Sequence, residues 1–182
     1  MAKKPYLIFL VLLFSFCQDS EWQYALQNQV DTYNKTAKEV DSYDVDTGSF
    51  AQILVKQYEE RYGLQKIVVH HYRDATMNFE RHLLLKDGEI VYTHYIGIAP
   101  TVNTSDESSF LIFNQQSFWK NTEKGVELKQ QLFADSFKKK DEVLQLLENT
   151  GVLEKATTPE DYGKIKRYYD EITASKPKND RR

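Results

Sequence analysis

The sequence predicts an α+β domain with two N-terminal helices, an antiparallel meander of about five strands, and two C-terminal helices. Near both ends of the chain, apolar residues recur every three or four positions, which is the period of an amphipathic helix. Between residues 65 and 133 they alternate every two positions, as in a strand. The Asp87-Gly88 pair in this region is a strong hairpin signal. Because helical and strand segments are segregated along the chain, α+β is favoured over α/β.

The first 16 residues have the features of a secretory signal peptide. Lys3 and Lys4 give a basic start, and Tyr6–Phe16 form an apolar run. As a helix this run would rise about 16 Å, against about 30 Å of bilayer hydrocarbon, so it is too short to serve as a spanning anchor. The sequence therefore predicts a signal peptide over residues 1–16 and export of the remainder of the chain.

The only cysteine of the chain, Cys17, directly follows the apolar run. In this segment alone the sequence resembles bacterial lipoprotein precursors, in which a cysteine at this place becomes the first mature residue and carries acyl chains. The resemblance implies lipidation of Cys17 and a firm attachment to a membrane of the cell envelope, since two lipid signals already suffice for stable anchoring. Phe16 is bulkier than the small residue usual before that cysteine. Ordinary cleavage after Cys17, which would release a soluble secreted protein, is the alternative.

The rest of the chain is predicted to form a single domain. Residues 17–48 would provide the tether, the first helix and a loop, residues 49–174 the α+β domain, and residues 175–182 a disordered basic tail. Without a further cysteine, this domain has no disulfide, thiol nucleophile or cysteine-metal site. Loss of residues 1–16 removes two of 24 basic side chains and none of 27 acidic ones, which leaves a formal charge of −5. Nucleic acid is therefore not an expected partner.

Two helices are predicted before the sheet. The first, over about residues 20–40, has an apolar stripe at helical spacing. Its members are Leu26, Val30, Tyr33, Ala37 and Val40. The second would begin at Ser49 in a capping arrangement and end at Gly63, since glycine often follows a last helical turn. Its buried face would consist of Phe50, Ile53, Leu54 and Tyr58.

The predicted strands cover residues 67–72, 78–86, 89–98, 110–119 and 126–133. A two-residue loop at Asp87-Gly88 would place Lys86 opposite Glu89. Regular pairing beyond that point would place Arg81 opposite His94. One face of this hairpin would then be a mixed polar surface, which we consider a possible binding surface. It includes Glu80, His82, Thr93 and Tyr95.

Two helices are predicted after the sheet. The first covers residues 136–149 and would bury Phe137, Val143, Leu146 and Leu147. The second opens at Thr158-Pro159, with proline at the first helical position, where its missing N–H costs no hydrogen bond. Its apolar face consists of Tyr162, Ile165, Tyr169 and Ile172.

The histidines of the sheet are the candidates for catalysis. His70 and His71 are adjacent in a strand and would point to opposite faces. In the regular hairpin register, His82 and His94 would also lie on opposite faces. An active site would need a histidine from each of two strands and a carboxylate such as Glu80, and no HExxH or GxSxG motif supports one. We therefore expect neither a metal nor a cofactor.

The sequence leaves more than one function open. The first hypothesis is a non-enzymatic binding module, lipid-anchored at the outer membrane or periplasmic face, whose partner is a protein or an envelope component. An immunity or inhibitor lipoprotein is a special case of this hypothesis. The alternative is a hydrolase or metal-dependent enzyme that uses the histidines of the sheet.

Overall fold

The computed structural model describes residues 6–45, 52–73, 77–101, 109–136, 138 and 140–177. By its internal contacts the chain divides into two compact units, Met1–Thr36 and Ala37–Arg182. Within the first unit, helix α1 (Tyr6–Thr36) contains the predicted lipidation site Cys17. None of the helices in the described ranges combines the length and the apolarity needed to cross a membrane.

The second unit is built on an antiparallel sheet of eight strands. Strand order in the sheet is the order along the chain, so each strand pairs with the next one. The strands are β1 (Glu39–Val45), β2 (Gln52–Tyr58), β3 (Leu64–Arg73), β4 (Met77–Lys86), β5 (Glu89–Thr101), β6 (Ser109–Trp119), β7 (Gly125–Ala134) and β8 (Leu153–Ala156). Helix α2 (Lys140–Leu147) lies between β7 and β8 in the chain, and α3 (Pro159–Ala174) comes after β8.

An antiparallel sheet in an α+β protein is confirmed, but the predicted arrangement of elements is wrong. The described residues form eight strands rather than five, and one helix rather than two precedes the sheet. The end of the predicted first helix and its loop contain β1, and the predicted helix over 49–63 contains β2. The five predicted strands correspond to β3 through β7, whereas the sequence pattern does not predict β8.

The strand β2 explains one of these corrections. Val55 is fully buried in the core beneath α3, and Ile53 packs against the same core, while Leu54 points to the opposite face of the sheet. Three consecutive apolar residues fit a strand that is covered on both faces as well as they fit a short helix. The proposed helix start at Ser49 and Phe50 lies outside the described residues.

The larger core lies between α3 and one face of the sheet, which we call the α3 face. Tyr43 of β1 joins the two layers, because its hydroxyl donates a 3.2 Å hydrogen bond to the carbonyl of Ile172. The buried residues of this core are Tyr43, Val55, Ile67, Val69, Leu83, Leu85, Ile90, Trp119, Tyr162 and Ile172.

Helix α3 begins as predicted. Thr158 is its N-cap, and the threonine hydroxyl accepts a 3.2 Å hydrogen bond from the backbone N–H of Asp161. The Asp161 carboxylate accepts one of 3.0 Å from the Thr158 N–H, which completes a capping box. Pro159 occupies the start of the helix, where a missing N–H is tolerated.

A smaller core lies between α2 and the opposite face of the sheet, which we call the α2 face. It consists of Ile96, Ile98, Ile112, Val143 and Leu147. The burial of Val143 and Leu147 is as predicted, whereas Leu146 is 37% exposed. Helix α2 is shorter than the predicted helix over 136–149, and Phe137 lies outside the described residues.

Candidate functional site

A β-bulge in β5 determines which side chains share a face of the sheet. Asp87 and Gly88 adopt φ angles of 52° and 83°, as in a type I′ turn, and Lys86 pairs with Glu89 as predicted. The register then shifts, because Val91 is an extra residue on β5. One extra residue turns every later side chain of β5 to the other face.

The predicted register is therefore wrong beyond the first two pairs. His94 lies opposite His82, and Arg81 lies opposite Tyr95. Glu80 and His82 are on the α2 face, whereas Thr93 and Tyr95 are on the α3 face. The structure thus separates the four residues that the regular register places on one binding surface.

Glu80 lies between two histidines on the α2 face. Its carboxylate oxygens are 3.3 Å from Nδ1 of His70 and 3.1 Å from Nε2 of His82. The three side chains are largely buried, with exposures of 14% for His70 and Glu80 and 21% for His82. The carboxylate thus orients two imidazoles from neighbouring strands. His71 lies on the opposite face from His70, as the alternation of a strand requires.

A second polar chain runs from His94 to the end of α2. Nε2 of His94 is 2.8 Å from Oδ1 of Asn114, and the Asn114 amide donates a 3.1 Å bond to Oε1 of Gln130. The Gln130 amide in turn donates to the carbonyls of Leu147 and Thr150, at 2.9 and 3.0 Å. Together with Glu80 and its histidines, this polar row crosses β3 through β7.

The two backbone carbonyls at the end of this hydrogen-bonded row determine which side chains donate and which accept. A backbone carbonyl can only accept, so Gln130 must direct its NH₂ group toward α2 and its oxygen toward Asn114. The same reasoning makes Oδ1 of Asn114 the acceptor for His94. His94 therefore carries a proton on Nε2, and the Gln130 amide donates to one carbonyl at the end of α2 and to one just beyond it.

Metal ligands are also relevant to the histidines and the carboxylate of the α2 face. Across the described residues, no group of three or more His, Cys, Asp and Glu side chains is placed to hold a metal ion. Nε2 of His82 contacts Glu80, and Nε2 of His94 contacts Asn114. The Glu80–His82 contact is a carboxylate–imidazole pair, and such pairs serve as general bases.

On the α3 face, the guanidinium of Arg81 lies between two tyrosine rings. Its central carbon is 4.5 Å from the ring centroid of Tyr95 and 4.2 Å from that of Tyr168. The bulge brings Tyr95 opposite Arg81, and α3 supplies Tyr168. Both contacts are cation–π interactions, the side chains of Arg81 and Tyr95 are also hydrogen-bonded, and all three side chains remain partly exposed.

Three further rings extend this group. His71 stacks on Phe79 at 4.4 Å, Phe79 meets Tyr95 edge-on at 5.3 Å, and Phe113 lies 4.5 Å from Tyr95. At these distances the rings are in contact with one another and form one continuous aromatic group beside the guanidinium. We refer to the six side chains as the Arg81 cluster: His71, Phe79, Arg81, Tyr95, Phe113 and Tyr168.

Arg81 carries the charge of this cluster at neutral pH. Burial lowers the pKa of His71 from 6.5 to about 4, and the charges of Arg81 and His70 act in the same direction. Nε2 of His71 shares a 2.7 Å hydrogen bond with the Tyr168 hydroxyl. Burial raises the pKa of both Tyr95 and Tyr168, although Arg81 opposes the increase. The imidazole and the two phenols are therefore uncharged.

In the described part of the chain, Arg81 has no acidic side chain within ion-pair distance. This is unusual, since a partly buried cation normally has a carboxylate partner. Tyr95 and His71 are among the candidates predicted from the sequence, whereas Phe79, Arg81, Phe113 and Tyr168 are not. The one available signal is an arginine at an inward position of a strand, between Phe79 and Leu83.

The two faces of the sheet thus carry different chemistry. The α2 face has a hydrogen-bonded row of imidazole, carboxylate and amide groups, and the α3 face has one cation surrounded by aromatic rings. Comparisons with protein-family models, with curated proteins and with solved structures found no match to this chain.

Proposed function

We propose that this protein is an exported, lipid-anchored binding module of the cell envelope, and that it binds a protein or another envelope component. Lys3 and Lys4, the apolar run over Tyr6–Phe16 and the adjoining cysteine support export and lipidation. The observation that carries the binding function is Arg81, a partly exposed cation between two tyrosines without an acidic partner among the described residues.

The energetics of Arg81 favour a role in recognition. Removing a cation from water costs several kcal/mol unless hydrogen bonds and opposite charge compensate, and each tyrosine contact returns only about 0.5–2 kcal/mol. The Tyr95 hydroxyl supplies one hydrogen-bond acceptor, and an external ligand can supply further acceptors together with the opposite charge. Arginine and tyrosine are also the residue types that dominate the binding energy of protein interfaces.

A second candidate function is a hydrolase that uses the Glu80–His82 pair. The 3.1 Å contact between Oε2 and Nε2 favours it, because a carboxylate at hydrogen-bond distance can orient an imidazole that acts as a general base. This pair lies on the α2 face, whereas Arg81 lies on the α3 face. Substitutions can therefore test the two candidates separately.

Capture of a partner from the native envelope tests the binding function. We expect the wild-type protein and the His82→Gln variant to retain the same partner, and Arg81→Met to lose it. Arg167→Met is the matched control, since Arg167 is an exposed arginine on α3 next to Tyr168. Equal capture by all four proteins would overturn the assignment of binding to Arg81.

Mass spectrometry of the mature N-terminus tests the anchor. We expect an acylated Cys17 as the first residue, and Cys17→Ser should release the protein from membranes. A chain that begins at Gln18 without a lipid would make the protein a soluble secreted one instead.

A further inference from the structure

We infer that the Arg81 cluster binds a single carboxylate that is attached to an apolar or aromatic group. This inference rests on the proposed function, because it names the ligand chemistry of the same surface.

Arg81 keeps hydrogen-bond donors for a ligand. Its guanidinium carbon lies 4.5 Å from the ring centroid of Tyr95 and 4.2 Å from that of Tyr168, and its side chain also hydrogen-bonds that of Tyr95. A guanidinium has five N–H donors in its plane, so a bond to one phenol oxygen leaves further donors for a ligand. Two parallel donors match the two oxygens of a carboxylate, and contact with two rings restricts the side chain before the ligand binds.

The charges on the α3 face favour a monoanion. Gln115 lies opposite Tyr95 on β6, and its amide donates a 2.7 Å bond to the carboxylate of Glu127 on β7. Glu127 is 8% exposed and is also paired with Lys155 at 3.4 Å, so its charge is compensated within the protein and Arg81 remains the charge that a ligand meets. Arg81 supplies one positive charge, and the predicted mature chain is acidic. A polyanion such as nucleic acid is therefore disfavoured.

The aromatic rings next to Arg81 favour an apolar group on the ligand. Gly97 lies between Phe79 and Phe113 in the register of the three strands. Because Gly97 has no side chain, the two rings approach each other over it, at 6.4 Å between centroids. Phe79 and Tyr95 are partly exposed, so the ligand can pack an apolar group against them while its carboxylate meets Arg81.

Titration of the unlipidated mature protein with phenylacetate tests this inference. Binding is followed by the side-chain N–H resonances of Arg81 and by calorimetry, and we expect saturable binding that shifts the Arg81 signals. Phenylacetamide, which has the ring without the charge, and inorganic phosphate, which has the charge without the ring, should each bind at least about tenfold more weakly.

Substitutions locate the binding site. Arg81→Met should abolish phenylacetate binding, and Arg81→Lys should weaken it by about tenfold, because lysine keeps the charge but not the planar fork. Arg167→Met should bind as the wild type does. If Arg81→Met does not fold, phenylacetate binding by Arg81→Lys and the shift of the Arg81 resonances in the wild type still test the site. Absence of a shift at Arg81, equal binding by Arg81→Lys, or tighter binding of phosphate would overturn the inference.

Two peptides distinguish the sources of the carboxylate. One has phenylalanine as its C-terminal residue with a free carboxylate, and the other has an internal Glu-Phe pair and an amidated end. Binding of either peptide at Arg81 supports a protein partner, and binding of phenylacetate alone supports a small acid.

The capture experiment and the titration can fail independently. If Arg81→Met loses the envelope partner but phenylacetate does not bind the wild type, the proposed function stands and the carboxylate inference is wrong. If phenylacetate binds but capture does not depend on Arg81, the site stands and the proposed envelope function is wrong.

Discussion

His82 and His94 lie directly opposite each other on β4 and β5, with their ring centroids 5.5 Å apart. This pairing exists because Val91 adds one residue to β5, and side chains of a strand alternate between its two faces. The same shift brings Tyr95 opposite Arg81. A single bulged residue therefore places the imidazole of His94 in the polar row of the α2 face and completes the aromatic contacts of Arg81 on the α3 face.

A pair of cysteines tests this register. In mature protein with Cys17→Ser, we expect His82→Cys with His94→Cys to form a disulfide on mild oxidation. Directly opposite residues have Cα atoms about 4.5–5.5 Å apart, within the range that a disulfide requires. His82→Cys with Thr93→Cys is the control, because these positions lie on opposite faces. Mass spectrometry of unreduced peptides shows which pair forms, and cross-linking of the control pair alone would contradict the register.

The polar chain from His94 to α2 predicts a difference between two adjacent glutamines of β7. Gln130→Leu should lower the free energy of unfolding by about 2 kcal/mol, because it leaves the amide of Asn114 and the carbonyl of Thr150 without this partner. Gln131 is exposed, so Gln131→Leu should change it by no more than about 0.5 kcal/mol. Urea denaturation measures both values, and equal effects would argue against the chain.

The hairpin shows how far the sequence predicts the site. Asp87-Gly88 predicts the turn and the pairs next to it, since a two-residue loop with positive φ angles has few alternatives. The bulge at Val91 is not visible in the sequence, because a strand covered on both faces tolerates apolar residues at either parity. Because the regular register ignores Val91, it predicts neither the pairing of His82 with His94 nor the contact of Arg81 with Tyr95.

The elements at the two edges of the sheet show a different limit. Val40 continues the helical spacing of Val30 and Tyr33, yet it belongs to β1 and is 62% exposed. All four residues of β8 are exposed, so no apolar pattern marks this strand. By contrast, α3 is predicted well, since the start signal at Thr158-Pro159 and the apolar stripe that follows it both indicate a helix.

His71 predicts a loss of stability in mild acid. Its pKa is about 4 in the folded protein and about 6.5 when unfolded, so the unfolded chain binds the extra proton between these values. The free energy of unfolding should be constant above pH 6.5 and fall as the pH decreases toward 4. The decrease is at most about 3 kcal/mol, reduced by the partial exposure of the ring.

Chemical denaturation at several pH values measures this dependence. In His71→Phe, the free energy of unfolding should depend less on pH between 4 and 6.5, because phenylalanine does not bind a proton. The substituted ring can still stack on Phe79. Any residual slope belongs to other groups of the protein. An identical slope in wild type and variant would contradict a neutral His71.

Two glycines near the C-terminal half of the sheet should respond differently to alanine. A Cβ on Gly125 would collide with the carbonyl oxygen of Phe118 and lie 2.6 Å from Oγ1 of Thr157, so Gly125→Ala should cost about 1–3 kcal/mol. A Cβ on Gly151 meets nothing within 4 Å, so Gly151→Ala should be nearly neutral. Thermal denaturation of the two variants provides the comparison, and a similar melting temperature for both would contradict the close approach at Gly125.

Adjacent threonines before α3 should have opposite effects. The hydroxyl of Thr157 is buried without a hydrogen-bond partner in the described structure, so Thr157→Val should raise the free energy of unfolding by about 1 kcal/mol. Thr158 caps the helix, so Thr158→Val should lower it by about 1 kcal/mol. Urea denaturation of both variants measures the two changes, and effects of the same sign would rule out this account of the segment.

The sequential order of the eight strands has a consequence for how the protein folds. Each strand pairs with its successor in the chain, so the sheet requires no crossover connection, and few residues separate most of the paired strands. Short loops have a small closure entropy, and folding rates rise as contacts become more local. The meander can therefore grow by adding one hairpin at a time from the Asp87-Gly88 turn. If the chain is exported as proposed, this order allows the sheet to assemble quickly after the chain has crossed the membrane.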